Sequence, residues 1–281
     1  MGLKLMYITN DPEVAKIAEV SGVDRIFVDM EYIGKADRQG GMDTVQSHHT
    51  IEDIQVIRKV VQKADLFVRV NPIHDATVEY SSSAEEIEKS IQAGADILML
   101  PYFKTVKEVQ RFIELVDGRA KTSLLLETPE AVEVIDDILK IKGIDEIHIG
   151  LNDLSLGYGM KFMFEPLVDG TVEKLCLKFK LSGIPYGFGG IAALGTGTLP
   201  AENILIEHYR MGSTCVILSR SFCNTSKITN LDEIQNIFNE GVKAIREKEQ
   251  EVEPIVQYFR ENEQLVREKV KLISDRISYR E

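Results

Sequence analysis

The sequence has few cysteines and no long hydrophobic run. Cys176, Cys215 and Cys223 form no CxxC pair and lie in or beside apolar stretches. Such cysteines are typical of core packing in a reduced protein and argue against a zinc site ligated by sulfur. No stretch approaches the roughly 20 apolar residues of a membrane-spanning helix, and residues 1–10 lack the basic and apolar regions of a signal peptide. We therefore expect a cytoplasmic protein with no membrane partner.

Positive charge is also scarce. The 281 residues include 33 Lys and Arg against 45 Asp and Glu, which gives a formal net charge of −12. This balance disfavours binding to nucleic acid, although a local basic pocket could still hold a small anion. With 44% hydrophobic residues, the chain can bury a core as one large domain or two smaller ones.

Short apolar runs of strand length alternate with segments of helical periodicity, and several of these segments end in glycine. The predicted strands are residues 3–8, 25–29, 66–71, 97–101, 122–127, 145–150, 184–188 and 214–219. Eight strands alternating with helices predict an α/β fold, a (β/α)₈ TIM barrel that forms a catalytic domain over residues 1–230. A doubly wound open sheet is the alternative.

The chain becomes rich in Glu, Lys, Gln and Arg after Leu231. Apolar residues recur there at helical spacing, which predicts one amphipathic helix from about 231 and another over about 254–277. We expect residues 231–281 to form a helical extension of the barrel. Its apolar stripe needs a partner, either its own barrel or a neighbouring subunit that exchanges helices with it.

Two carboxylates follow successive predicted strands. Glu127 ends the apolar run Leu124–Leu126, and Asp153 follows Ile147–Ile149. Because parallel strands end at the same edge of a barrel, both side chains should project there. Two carboxylates at that separation can share a hard divalent cation such as Mg²⁺ or Mn²⁺, with water and substrate as its other ligands. The alternative is that both residues are helix N-caps.

Arg69 is a charged residue inside the apolar strand 66–71. An unpaired buried charge is costly, so its guanidinium must meet an anion. An ion pair with Asp29 or Glu127 would satisfy it, as would bidentate capture of a substrate carboxylate or stabilisation of an enolate oxygen. Ser219–Arg220–Ser221, at the end of the eighth strand, offers another contact for an anion.

Four segments together resemble the HpcH/HpaI aldolase/citrate lyase family of the phosphoenolpyruvate/pyruvate-domain superfamily. They are Val28–Glu31, Val68–Asn71, Leu126–Val132 and Gly150–Ser155, within a resemblance that covers about residues 3–222. The resemblance implies a TIM barrel that makes or breaks carbon–carbon bonds. It also implies homo-oligomers, hexamers or trimers, and hexamers with exchanged C-terminal helices occur in the family.

The same resemblance implies roles for particular residues. It implies a divalent metal on Glu127 and Asp153, with Arg69 at the carbonyl or enolate oxygen of a pyruvate-like group. Asn152, after the sixth strand, and Asp29 and Glu31, at the exit of the second, complete the expected substrate-binding set.

The chain departs from the family at Tyr32, where the aldolases carry a histidine associated with the acid/base step. Tyrosine, with an ordinary pKa of about 10, is a poor base near neutral pH. His48 and His49 end the same loop and could replace the histidine. We favour His49 as the base, with Tyr32 as a second catalytic candidate, because a helix that starts at Thr50 would lower the pKa of the neighbouring imidazole.

The leading functional prediction is a divalent-metal-dependent carbon–carbon lyase or aldolase that acts on a small-molecule 2-oxo acid. One alternative is a lyase that cleaves a CoA thioester, as other members of the family that the chain resembles do. Another is a noncatalytic barrel that binds a metal and a carboxylate, which the loss of the family histidine favours.

Overall fold

Eight parallel strands form a closed barrel in chain order, with β8 beside β1. The computed structural model describes residues 2–35, 47–252 and 254–278. The strands are β1 Lys4–Ile8, β2 Arg25–Asp29, β3 Asp65–Arg69, β4 Ile97–Leu100, β5 Lys121–Leu126, β6 Glu146–Ile149, β7 Tyr186–Ile191 and β8 Cys215–Leu218. The prediction of a (β/α)₈ barrel is confirmed, and the open-sheet alternative is wrong.

Helices surround the barrel. They are α1 Pro12–Val20, α2 Ile51–Val60, α3 Ser83–Gln92, α4 Val106–Val116, α5 Pro129–Glu133, α6 Ile135–Ile138, α7 Leu151–Gly157, α8 Glu165–Val168, α9 Thr171–Ser182, α10 Ala201–Met211, α11 Leu231–Glu251 and α12 Val256–Ser278. None of the helices in the described part of the chain is long and apolar enough to cross a bilayer.

Three segments differ from the predicted elements. The helix predicted over 129–141 is split into α5 and α6, because Val134 leaves helical geometry with φ −99° and ψ 7°. The helix predicted from about 166 is split into α8 and α9, since Gly170 adopts a left-handed φ of 92°. Strand β7 runs on to Ile191, beyond the predicted 188, through a register shift against β8 between Gly187 and Gly190.

The interior of the barrel is apolar in its middle and charged at its amino-terminal end. One cluster comprises Met6, Phe27, Phe67, Ile97, Met99, Leu125 and Cys215. Beside it, Arg25 Nη1 and Nη2 donate to the two carboxylate oxygens of Glu146 at 2.8 and 2.7 Å. The Arg25 guanidinium also lies 5.4 Å from the centre of the Phe67 ring. A paired and packed charge of this kind avoids the cost of an isolated buried ion.

The two C-terminal helices pack against the barrel of their own chain. Helix α11 contacts α1, and the Phe238 ring lies 4.8 Å from the Tyr7 ring of β1. Helix α12 contacts α8 and α10, and Asn262 Nδ2 donates to Glu207 Oε1 at 2.8 Å and to the Asn203 carbonyl at 3.0 Å. Within one chain the barrel therefore covers part of the apolar stripe: Val266 and Val270 are buried, whereas Val256 and Leu265 stay exposed. The domain boundary at 230 and the exchange of helices between subunits stay predictions.

Candidate active site

A cavity of about 190 Å³ is lined by residues from the carboxyl ends of the strands. It brings together four of the predicted site residues, Arg69, Glu127, Asn152 and Asp153. Its apolar walls are Ile8, Phe27, Met99, Leu125, Leu151, Met163 and Ile217. The polar groups thus meet in a pocket that is otherwise hydrophobic, which is the usual composition of a small-molecule site.

Glu127 follows β5 directly and is only 4% exposed. Its Oε1 accepts a hydrogen bond from the Tyr102 backbone N–H at 3.0 Å. Tyr102 itself has a left-handed φ of 49°. On the other side the carboxylate packs against Gly150, where an added Cβ would lie 2.7 Å from Glu127 Oε2. The backbone of two neighbouring strand ends therefore holds this carboxylate in place.

Asp153 lies in the first turn of α7 and is 7% exposed. Its Oδ1 is 3.3 Å from Asn152 Nδ2. Neither carboxylate is an N-cap: Thr128 caps α5 with its hydroxyl oxygen, and α7 begins after Gly150 without a side-chain cap. The alternative prediction that Glu127 and Asp153 serve as caps is therefore wrong.

Arg69 forms a bidentate ion pair with Asp29. Its Nε donates to Asp29 Oδ1 at 2.8 Å and its Nη2 to Oδ2 at 2.7 Å, while Nη1 lies 3.3 Å from Glu31 Oε2. Lys35 Nζ, from the loop after β2, lies 3.0 Å from Asp29 Oδ2 and 3.5 Å from Glu31 Oε2. The structural ion pair with Asp29 is thus present. Because Asp29 occupies two nitrogens of Arg69, bidentate capture of a substrate carboxylate by that edge is excluded.

These four residues form a charged cluster whose acidic members are buried. Asp29 and Glu31 are each 1% exposed. Burial alone would raise the pKa of Asp29, but Arg69 and Lys35 outweigh it and lower that pKa. Burial opposes the charge on Arg69 as well, yet Asp29 and Glu31 raise its pKa. Asp29 and Arg69 therefore stay ionised. Asp29 and Glu31, which were predicted to bind substrate, hold Arg69 in position.

Tyr32 is held by its backbone rather than by its hydroxyl. The Asn71 Oδ1 atom accepts the N–H groups of Tyr32 and Ile33 at 2.9 and 3.0 Å, and Asn71 Nδ2 donates to Glu86 Oε1 at 2.8 Å. The Tyr32 side chain is 45% exposed, and its ring lies edge-on to Tyr80 with 6.1 Å between centroids. Burial, with a contribution from Glu86, raises the pKa of Tyr32. Its hydroxyl is therefore protonated at neutral pH, and Tyr32 is not among the residues that line the cavity.

His49 lies beside the charged cluster. Its Nδ1 accepts the Asp29 backbone N–H at 3.0 Å, so the neutral ring carries its proton on Nε2. Burial lowers the pKa of His49, with Lys35 and Arg69 acting in the same direction. The sequence predicted that the helix starting at Thr50 would lower the pKa of His49 and keep its ring neutral. In the structure, burial is the largest cause of the lowered pKa. The lone pair of His49 is engaged by the backbone, His48 is exposed, and neither residue lines the cavity.

Two residues of this region escaped the sequence analysis. His148 lines the cavity, and its Nε2 lies 3.0 Å from the Gly189 carbonyl oxygen. Burial lowers its pKa to about 4, so the ring is neutral. The two-residue period of β6 places His148 on the same inward side as Glu146, a signal that could have identified it. Lys35 lies in the polar segment after β2, which has no apolar periodicity, so no signal marked it.

The carboxylate pair fits a hard divalent cation. Within residues 2–35, 47–252 and 254–278, no three His, Cys, Asp or Glu side chains are grouped as metal ligands. Mg²⁺ commonly takes one or two protein carboxylates and fills its other positions with water and substrate oxygens. Glu127 and Asp153, buried in one cavity, supply that donor set.

Comparisons with solved structures show the same fold. An HpcH/HpaI aldolase from Desulfitobacterium hafniense DCB-2 is 18% identical, with a TM-score of 0.58 over 88% of this chain and 93% of that one. An HpcH/HpaI aldolase/citrate lyase family protein from Burkholderia cenocepacia J2315 is 14% identical, with a TM-score of 0.60 over 83% and 95%. The citrate synthase SbnG is 17% identical, with a TM-score of 0.59 over 84% and 94%.

Sequence comparison identifies the family. No curated protein sequence aligns significantly with the chain. The family model described as HpcH/HpaI aldolase/citrate lyase matches residues 4–165, more than half of the chain. This match includes Arg69, Glu127 and Asp153. The chain belongs to the HpcH/HpaI aldolase/citrate lyase family.

Proposed function

We propose that the protein is a divalent-metal-dependent carbon–carbon lyase or aldolase whose substrate is a 2-oxo acid of the pyruvate or oxaloacetate type. The observation that carries this proposal is the burial of Glu127 and Asp153 in one cavity with the cationic Arg69. Membership of the family supports the lyase or aldolase chemistry.

Glu127 and Asp153 would hold the cation. Bound there, Mg²⁺ or Mn²⁺ supplies Lewis-acid polarisation of the 2-oxo carbonyl group. The carboxylate of Glu127 is already oriented by the Tyr102 N–H and by Gly150, so it needs little rearrangement to act as a ligand.

Arg69 would stabilise negative charge on the enolate oxygen of the substrate. Asp29 and Glu31 fix the guanidinium before any substrate arrives. A charge that is held in place stabilises a transition state without a cost of reorganisation. Arg69 lines the same cavity as the carboxylates, which is the placement that this role requires.

The cavity walls would exclude water from the reacting carbons. Seven apolar side chains, from five strands and the segment after β6, form these walls. A less polar surrounding strengthens the attraction between Arg69 and a developing negative charge. It also slows protonation of the carbanion by bulk water.

Enolisation of the substrate needs a group that carries its proton. His49 is neutral and half-buried, and its Nδ1 would take up the substrate proton only after it releases the Asp29 N–H, which would leave an imidazolium protonated on both nitrogens. Tyr32 carries a proton on its hydroxyl at neutral pH. We propose His49 as the carrier, with Tyr32 second and a cavity water as the remaining candidate.

Exchange of the pyruvate methyl protons in deuterated water tests this function, with NMR as the readout. We expect exchange in the presence of Mg²⁺ or Mn²⁺, its loss on chelation, and its recovery when metal is restored. Glu127→Gln and Asp153→Asn should each abolish exchange and weaken metal binding with the fold intact, because an amide is a poorer ligand for a hard cation. Glu130→Gln removes an exposed carboxylate outside the cavity and serves as the matched control.

The possible results separate the hypotheses. Exchange that continues after chelation would refute the metal-dependent mechanism. Binding of metal and pyruvate without any exchange would instead select the noncatalytic barrel.

A further inference from the structure

A second cavity of about 230 Å³ adjoins the proposed catalytic cavity. The two share Ile8, Arg69 and Ile217 in their linings. The second cavity extends along the ends of β1 and β8 and along residues 219–226. A substrate larger than pyruvate could therefore occupy both cavities, with its 2-oxo acid end beside Glu127 and Asp153.

The lining of the second cavity is rich in groups that donate hydrogen bonds to anions. Its polar members from one segment are Ser219, Arg220, Asn224, Thr225 and Ser226. Asn224 Oδ1 accepts the Ser226 hydroxyl at 2.6 Å, so Asn224 offers its amide nitrogen as a donor, and the hydroxyl hydrogen of Ser226 is already engaged. Among the described residues of the lining, Asp29 is the only acidic one, and Arg69 and Lys35 pair with it.

The segment that carries these groups is firmly anchored. The Ser219 N–H donates to the Ile191 carbonyl at 2.8 Å, and the Phe222 N–H closes a turn onto the Ser219 carbonyl at 2.8 Å. The Phe222 ring lies 5.5 Å from Phe238, and the Tyr7 hydroxyl donates to the Cys223 carbonyl at 3.0 Å. Arg220 therefore leaves a turn whose backbone is already fixed, which lowers the entropic cost of binding a ligand.

We propose that the second cavity binds the phosphate group of a phosphorylated aldehyde, the acceptor or product half of the carbon–carbon reaction. An arginine with several hydroxyl and amide donors suits a phosphate, which has three terminal oxygens, better than a planar carboxylate with two. The loops after the seventh and eighth strands of a (β/α)₈ barrel are a frequent position for such sites. The inference rests on the proposed function and adds the substrate class to it.

The first experiment measures binding of inorganic phosphate by calorimetry and needs no turnover. We expect phosphate to bind the wild-type protein and to bind Arg220→Gln about 10- to 150-fold more weakly, which is the range for a lost hydrogen bond to a charged group. Arg260→Gln, which removes an exposed arginine of α12 outside both cavities, should bind phosphate as the wild type does. Absence of phosphate binding, or equal weakening in both variants, would overturn the inference.

The second experiment compares aldehyde acceptors in the addition of pyruvate. Glyceraldehyde 3-phosphate should exceed glyceraldehyde in kcat/KM, and Arg220→Gln should reduce that ratio by the same 10- to 150-fold. Succinic semialdehyde and butyraldehyde, four-carbon aldehydes with and without a carboxylate, form the matching pair that tests for a carboxylate site. A larger preference within that pair than within the phosphate pair would overturn the inference in favour of a carboxylate site.

Failure of the proposed function is distinguishable from failure of this inference. If the wild-type protein catalyses no metal-dependent exchange of pyruvate protons, the catalytic proposal is refuted, whether or not phosphate binds. Normal exchange with no preference for the phosphorylated aldehyde refutes only the phosphate site.

Discussion

Gly150→Ala offers a direct test of the proposed metal site, because Gly150 packs against the carboxylate of Glu127. Gly150 has φ −82° and ψ 91°, a conformation that alanine adopts without backbone strain. The added Cβ would lie 2.7 Å from Glu127 Oε2 and 2.8 Å from Glu127 Cβ. The substitution therefore crowds the proposed ligand and leaves the backbone at residue 150 undisturbed.

The size of the effect follows from these distances. To reach an ordinary contact of 3.4 Å from 2.7 Å, the carboxylate oxygen must move by about 0.7 Å. Mg²⁺ requires near-octahedral oxygen ligands at about 2.0–2.1 Å, so it tolerates little displacement. We expect metal affinity to fall by about 10- to 100-fold, the range found when groups that orient a ligand are altered. Crowding should also lower the free energy of unfolding by about 1–3 kcal/mol.

The assay pairs calorimetric titration of Mg²⁺ or Mn²⁺ with urea unfolding. Gly241→Ala is the matched control, since its Cβ would lie 2.6 and 2.8 Å from two ring carbons of Phe222, away from Glu127. The control should lose comparable stability from crowding and keep wild-type metal affinity. Wild-type metal affinity in Gly150→Ala, or equal loss of affinity in both variants, would refute the assignment of Glu127 as a ligand.

Three further predictions concern the proton carrier, the C-terminal helix and acid sensitivity. His49→Ala should abolish pyruvate proton exchange with unchanged metal affinity, and Tyr32→Phe should have a smaller effect; the reverse order would assign the proton to Tyr32. Deletion of residues 252–281, which removes α12, should lower the assembly mass in light scattering; an unchanged mass would mean that α12 packs only on its own barrel. Burial lowers the pKa of His148 from 6.5 to about 4, so its stabilising contribution is complete above pH 6.5 and is lost as the pH falls toward 4. Between pH 6.5 and pH 4, the free energy of unfolding in urea should fall by about 3 kcal/mol more for the wild type than for His148→Gln. An equal fall in both proteins would contradict the lowered pKa of His148.

The barrel and the edge that carries Glu127 and Asp153 were predictable from local sequence signals. Apolar runs of strand length and glycines at helix ends recur along the chain, and each encodes an element through neighbouring residues alone. Parallel strands that end at one edge then place Glu127 and Asp153 together, as the shared cavity confirms. The split of the helix predicted over 129–141 was not predictable in this way, because its apolar periodicity continues across the break at Val134.

Only the tertiary structure decided which partner each polar group takes. Arg69 pairs with Asp29, 40 positions away, and Lys35 joins them from the polar segment after β2. The Asp29 N–H donates to His49 Nδ1, a contact that depends on the placement of residues 47–50 beside the end of β2. The second cavity exists only because β8 closes against β1, which joins residues more than 200 positions apart. Periodicity reports which face of an element is buried, whereas these contacts depend on side-chain packing between elements that are distant in the chain.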